Sequence, residues 1–372
     1  MPRLLIVCEY PTLLGGEQSM LATLPAVAAA GFEVVVAAPV AGQLTATLRE
    51  RGVGHVEWRT HAIAQRLPPE QLRAELAAVA RQVQSDLLHA NSLSTSRIAG
   101  PVARDCGTRS IGHLRDILKL SRQAVEDLNL HTRLVAVSNA TRDFHIAQGL
   151  DPAKCVVLHN GVDLTKFRPQ PPSRYLHCAL SLPSDARLIA VIGQLGLRKG
   201  TEIVLAAAHQ IATSSPNVHW LIVGERTSNK TESREFEAQL HALAATLPLK
   251  GHVHFLGSRR DIPQLLCECE LLVHAARQEP LGRVLLESAA CGLAVIATNV
   301  GGTPEIFATD KPSAILVPPN DANALAEAVR SLLTDNQRRD ALGAAARRRS
   351  ESAFDIRLAA ARLIELYHEL LQ

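Results

Sequence analysis

The chain repeats one pattern twice. Short runs rich in β-branched residues alternate with longer Ala- and Leu-rich stretches of helical period, and a proline cluster separates the first series from the second. The first series predicts strands at Leu4–Cys8, Glu33–Ala38, Asp86–Ala90, Arg109–Gly112, Leu134–Ser138 and Cys155–His159. The second predicts strands at Arg187–Gly193, His219–Val223, Val253–Leu256, Leu271–His274, Ala294–Ala297 and Ala314–Val317, with helices over Glu202–Thr213, Ser233–Thr246 and Asn323–Leu333. Such alternation requires parallel sheets with helices on both faces. The linker between the two series is predicted at Phe167-Arg-Pro-Gln-Pro-Pro172. The expected class is therefore α/β, with two doubly wound, Rossmann-like domains facing a cleft, at 1–168 and 169–353. A last helical pattern, 354–372, has no strand to serve and is expected to pack toward the first domain. Ligands of such sheets bind beyond the carboxyl ends of the strands.

Composition narrows the function. Aromatic residues make up only 3%, too few for the stacking platforms that single-stranded nucleic acid needs. The net charge of +3 is no nucleic-acid signature either. It arises within residues 1–168, where 18 Lys/Arg face 15 Asp/Glu; the remainder carries 21 of each. That excess suits an anionic acceptor, a lipid surface or simply a solvated basic face. The 7 cysteines lack paired spacings, which argues for a reducing compartment and against a disulfide framework. Cys267 and Cys269 have no second pair to complete a zinc site, so no metal is expected. Pro2–Cys8 is too short for a signal sequence, and no apolar run is long enough to span a bilayer. The expectation is a cytoplasmic protein, with room for peripheral contact at the inner face of the membrane.

The most informative segment is Glu279-Pro-Leu-Gly-Arg-Val-Leu-Leu-Glu287. Two carboxylates flank a proline, a glycine and an apolar pair that reads as the start of a buried helix. Pro280 is expected in the first helical turn, where its missing N–H does no harm. Gly282 lets backbone approach a ligand, and first-turn N–H groups can hold a phosphate. Glu279 is expected before the helix and Glu287 about two turns into it.

Four further loops follow predicted strands. Gly15-Gly16 opens the first helix, which Pro25 is expected to kink. Gly193-Gln-Leu-Gly-Leu-Arg-Lys-Gly200 lacks the G-x-G-x-x-G dinucleotide spacing, but Arg198 and Lys199 can neutralise a pyrophosphate. His113, expected just past the Arg109–Gly112 strand, can hydrogen-bond a hydroxyl or move a proton. Val300-Gly-Gly-Thr-Pro-Glu305 is a loop able to close on a ligand, or an ordinary turn.

Together these motifs resemble the retaining glycosyltransferases of family 4, which have the GT-B fold. The resemblance is carried by Leu14-Gly-Gly-Glu-Gln18, Val135–Asn139, His159-Asn-Gly-Val-Asp163, Arg198-Lys-Gly200, Phe255–Asp261, the Glu279…Glu287 pair, Ala290-Cys-Gly292 and Gly301–Glu305. It implies transfer of a sugar from a nucleotide-diphosphate sugar, a UDP- or GDP-hexose, to a glycan, lipid or small-molecule acceptor. The donor is then a co-substrate, and no cofactor or metal is implied. Glu287 would bind ribose and Glu279 would face the donor sugar, as a positioning group or a nucleophile. The backbone of Leu281, Gly282, Arg283 and Val284 would hold sugar hydroxyls and phosphates, and Arg198 and Lys199 would stabilise the leaving diphosphate. His113 would contact the sugar, Gly15 and Gly16 would approach the phosphates, and the loop at Arg260 would cradle the base. Gly193 begins the phosphate loop. The chain departs from the family pattern at Gly193-Gln194, where Gly-Arg is usual, and at Leu281-Gly282, where Phe-Gly is usual. An alternative is a nucleotide-sugar epimerase on the same plan, and a third is a non-catalytic scaffold.

Overall fold

A computed structural model describes residues 1–62, 65–307 and 312–372. The chain forms two compact units, one of residues 1–161 with 356–372 and one of residues 162–355. Each is built on a parallel sheet. In the first unit the strands are β1 (Arg3–Val7), β2 (Glu33–Ala38), β3 (Gly54–Glu57), β4 (Leu87–Ala90), β5 (Arg109–Leu114), β6 (Arg133–Ala136) and β7 (Cys155–Val157), in the order β3-β2-β1-β4-β5-β6-β7. In the second they are β8 (Arg187–Ile192), β9 (Val218–Val223), β10 (Val253–Gly257), β11 (Leu271–His274), β12 (Ala294–Thr298) and β13 (Ile315–Val317), in the order β10-β9-β8-β11-β12-β13. Strand order therefore reverses beside β1 in one unit and beside β8 in the other, the places where such sheets bind ligands.

The strands read as nearly continuous apolar runs because both faces are covered. Along β1, Leu4 and Ile6 enter one core while Leu5 and Val7 enter the core on the opposite face. In the second unit Ile189, Val191, Trp220 and Ile222 pack against Val204, Leu205 and Val329.

Three details differ from the sequence reading. The Pro-rich segment 167–172 lies within the second unit and is fastened to it. Phe167 is buried, its carbonyl accepts from Arg347 Nη1 at 2.9 Å, and Glu268 accepts from the Ser173 N–H at 2.6 Å. The units divide instead at Gly161/Val162 and Asp355/Ile356, where Val162 N–H donates to the Phe354 carbonyl at 2.7 Å. Second, helix α1 (Gly15–Ala29) continues through Pro25. The Leu21 carbonyl, which Pro25 has no N–H to reach, accepts from Arg51 Nη1 at 2.9 Å. Third, Pro280 precedes its helix, as described below.

The last helix, Ile356–Leu371, belongs to the first unit. Leu363, Leu366, Tyr367 and Leu370 enter the core with Leu4, Leu24 and Val27. Each buried leucine of this kind contributes about 1.5–3 kcal/mol.

Candidate active site

In the second unit the site grows from the carboxyl ends of β8 and β11, which are neighbours in the sheet. The loop leaving β8 passes through a short turn of 3-10 helix, Leu197–Lys199, before the helix Thr201–Ala212. Gly200, at φ +63°, is required there, since an added Cβ would lie 2.1 Å from the Ala275 carbonyl. This close packing brings the loop against the end of β11. The Lys199 stem runs past Gly193, and Lys199 Nζ donates to Glu279 Oε2 at 2.6 Å. His274, the last residue of β11, meets the same oxygen through Nε2 at 2.8 Å.

Glu279 is 6% exposed. Burial alone pushes its carboxyl up, but the Lys199 charge and the His274 hydrogen bond outweigh this and hold it well below its ordinary range. His274 is pushed down, first by burial and then by the Lys199 charge. Because the ionised carboxylate can only accept, His274 donates through Nε2–H. Arg198 is exposed, with Nη1 3.2 Å from the Gln278 carbonyl.

Gly282 adopts φ +103° and caps the helix Arg283–Ala290. Pro280 therefore lies ahead of the helix, and Glu287 is its fifth residue, little more than one turn in. The cause is the loop after β12. Gly302 N–H donates to the Glu279 carbonyl at 2.9 Å and Gly301 packs flat on that carbonyl, which holds residues 279–282 out of helical form. Leu281 is buried, so that residue presents backbone and not side chain. Arg283 and Val284 form the first turn, whose N–H groups have no acceptor within the helix. The Arg283 side chain pairs with Glu287 four residues on, so the carboxylate expected at ribose already holds a guanidinium. Arg260 is exposed on the loop after β10 and takes no part in the Lys199–Glu279–His274 cluster. Its neighbour Arg259 is paired with Asp261.

In the first unit, α1 begins at Gly15, and a Cβ on Gly16 would stand 3.3 Å from the Arg115 side chain. Arg115 donates to the Asn91 carbonyl, to Asn91 Oδ1 and to Asn160 Oδ1 at 2.8, 3.0 and 2.9 Å. His113 lies inside β5, not beyond it, and is 2% exposed. Burial, then the Arg115 charge, push its imidazole well below the usual range. His113 lines a cavity with Ser19, His89, Asn91, Arg115 and Asn160. The structure thus gathers His113 and Gly16 around Arg115, and Lys199 with Glu279.

The sequence reading passed over His274, His89, Arg115 and Asn91. The signal that singled out His113, a histidine at the carboxyl end of a predicted strand, applies equally to His274. Among the described residues, no group of three or more His, Cys, Asp or Glu is placed to hold a metal ion, and no helix is long and apolar enough to cross a membrane.

Two nucleotide-binding-type sheets with a cationic loop and a buried carboxylate at a switch point define the GT-B class, and the comparisons agree. Anabaena HepE in complex with UDP and glucose superposes with a TM-score of 0.86 at 23% identity, covering 99% of this chain and 100% of that one. Residues 14–166 match glycosyltransferase family 4 and residues 176–349 match glycosyl transferases group 1, and the chain belongs to this glycosyltransferase family. Among curated relatives, the alpha-maltose-1-phosphate synthase of Mycolicibacterium smegmatis is 30% identical over 68% of this chain and 66% of its own length. The D-inositol 3-phosphate glycosyltransferase of Mycobacterium tuberculosis is 32% identical over 54% of this chain and 40% of its own. The matches thus span less than two thirds of either relative.

Proposed function

We propose that this protein transfers a hexose from a nucleoside-diphosphate sugar to a glycan, lipid-linked or small-molecule acceptor, with retention and without a metal ion. The observation that carries the reading is the ionised, buried Glu279 fixed by Lys199 and His274 beside a helix start. As the donor's glycosidic bond breaks, negative charge builds on the diphosphate. Lys199, Arg198 and the first-turn N–H groups of Arg283 and Val284 are placed to meet it, and fixed groups of this kind favour the transition state over the ground state. Glu279 keeps Lys199 oriented and accepts from a sugar hydroxyl, while Glu287 and the Arg260 loop serve the nucleoside. Within the first unit, His113 offers a hydrogen bond to a sugar hydroxyl, and Gly15 and Gly16 leave room for a phosphate. The named ligands of HepE favour UDP-glucose as the first donor to try.

The test is incubation of the protein with labelled UDP- and GDP-hexoses, with and without a panel of polyol and glycolipid acceptors. Labelled product of unchanged anomeric configuration, formed in chelator, supports the reading. Inverted product, a chelator-sensitive rate, or an epimerised sugar formed without acceptor overturns it.

A further inference from the structure

We propose that Tyr367 and His89 are positioning residues that fix His113 as its Nε2–H tautomer, making it a standing hydrogen-bond donor to a substrate oxygen and not a base. Three buried side chains from distant parts of the sequence form one line. Tyr367 Oη lies 2.6 Å from His89 Nδ1, and His89 Nε2 lies 3.1 Å from His113 Nδ1. The imidazoles stack with centroids 5.3 Å apart and an interplanar angle of 11°. Tyr367 is 0%, His89 3% and His113 2% exposed. His113 Nε2 has no partner among the described residues.

Only two proton arrangements satisfy both bonds with neutral rings. In one, every donor points toward His113: the tyrosine hydroxyl donates to His89 Nδ1, His89 Nε2–H donates to His113 Nδ1, and His113 carries its proton on Nε2. In the other, every donor points toward Tyr367. The phenol then accepts and its own hydrogen makes no bond among the described residues, whereas in the first arrangement the unmade donor is the His113 Nε2–H. The first is favoured because it pairs the stronger donor, the phenol hydroxyl, with the stronger acceptor, an imidazole nitrogen, and leaves unmade only a weaker donor and the weakly accepting phenol oxygen. His113 lines the cavity with His89 and Tyr367, and its Nε2–H is the donor left for a ligand. Both rings remain neutral. Burial and the charge of Arg115 push His89 down to about 3 and His113 well below its usual range. The glycosyltransferase reading enters only in naming the oxygen, a sugar hydroxyl.

Long-range proton–nitrogen spectra of protein labelled with 15N-histidine test the assignment without any substrate, the His113 signals being identified by their loss in His113→Gln. At neutral pH both His89 and His113 are expected to show a pyrrole-like Nε2 and a pyridine-like Nδ1. A pyridine-like Nε2 or an imidazolium at His113 overturns the proposal. Tyr367→Phe keeps the ring that packs edge-on against Phe32 at 5.5 Å. It should give a mixture of His113 tautomers and lower kcat roughly 2- to 12-fold while leaving nucleoside-diphosphate affinity unchanged. His89→Gln, whose amide N–H still donates to His113 Nδ1, should retain the tautomer, and His89→Leu should not. An unchanged His113 tautomer in both Tyr367→Phe and His89→Leu also overturns the relay. If no protein transfers sugar, the spectra still decide the tautomer, and the proposed activity falls separately.

Discussion

Lys199 Nζ and Glu279 Oε2 stand 2.6 Å apart, on loops that leave two adjacent strands of one sheet, with side chains 16% and 8% exposed. The two residues are 80 positions apart in the chain. Their pairing serves both: the buried carboxylate stays ionised because the ammonium is there, and the ammonium is aimed because the carboxylate is there.

Replacing Glu279 by Gln keeps the shape and removes the charge. Transfer is expected to fall about 10²–10³-fold, the usual cost of one transition-state contact. Breaking one half of a buried pair costs about 3–5 kcal/mol, and the residual exposure of Lys199 brings the expected loss toward the lower end. The double variant with Lys199→Met should recover much of the stability and none of the activity. Urea denaturation and initial rates check both parts, and normal turnover in Glu279→Gln would remove Glu279 from the mechanism.

Lys199→Met alone should weaken binding of the nucleoside diphosphate by roughly tenfold or more, since hydrogen bonds to charged groups contribute about 1.5–3 kcal/mol. Calorimetry at two ionic strengths is the measurement. The parent's affinity should drop more steeply with salt than the variant's. Equal affinity in the two proteins would assign the phosphate contact to Arg198.

Gly301→Ala places a methyl group about where the Glu279 carbonyl sits, 2.0 Å away, at a φ of +52°. The loop must then lift from residues 279–282. A stability loss of about 1–3 kcal/mol is expected from the backbone conformation alone. Transfer should fall with it, because the Gly282 cap loses its support. A variant with the parent's melting temperature and rate would show that the two loops act independently.

Acid should weaken the first unit well above the carboxylate range. His131 is 0% exposed, with Nδ1 2.9 Å from Ser110 Oγ and Nε2 2.8 Å from the Ser96 carbonyl, and burial pushes it down to about 4. The unfolded chain takes up a proton near pH 6.5 and the folded one near 4. The stability linked to this group is therefore complete above 6.5 and declines as pH falls toward 4, by roughly 1.4 kcal/mol per pH unit. His131→Gln should flatten the dependence of urea midpoint on pH in that window; an identical slope would show that His131 does not titrate there.

Most strands were legible because a sheet buried on both faces demands uninterrupted apolar runs, and Glu33–Ala38 and Leu271–His274 fall where the sequence places them. The candidate site was legible where its residues are neighbours in the chain, as in Arg198-Lys199. His274 was not, since its importance depends on Glu279 folding back over the end of β11. Nor was the position of Pro280. Proline tolerates a first helical turn, and the grip of Gly301 and Gly302 on the Glu279 carbonyl, with the Gly282 cap, holds it outside one. The fastening of the Pro-rich segment, by Arg347 at Phe167 and by Glu268 just beyond it at Ser173, was hidden for the same reason, both partners being far along the chain.

The helix Ile356–Leu371 gives the first unit a history as well as a core. A ribosome makes residues 1–161, then the whole of the second unit, and only then the segment that completes the first. Until Tyr367 emerges, Leu4, Leu24 and Val27 have one wall missing and His89 lacks its phenol partner. The second unit has no such debt to later sequence and is free to fold while synthesis continues. The first unit therefore cannot be complete before the second has been made, and His89 gains its phenol partner no earlier than that.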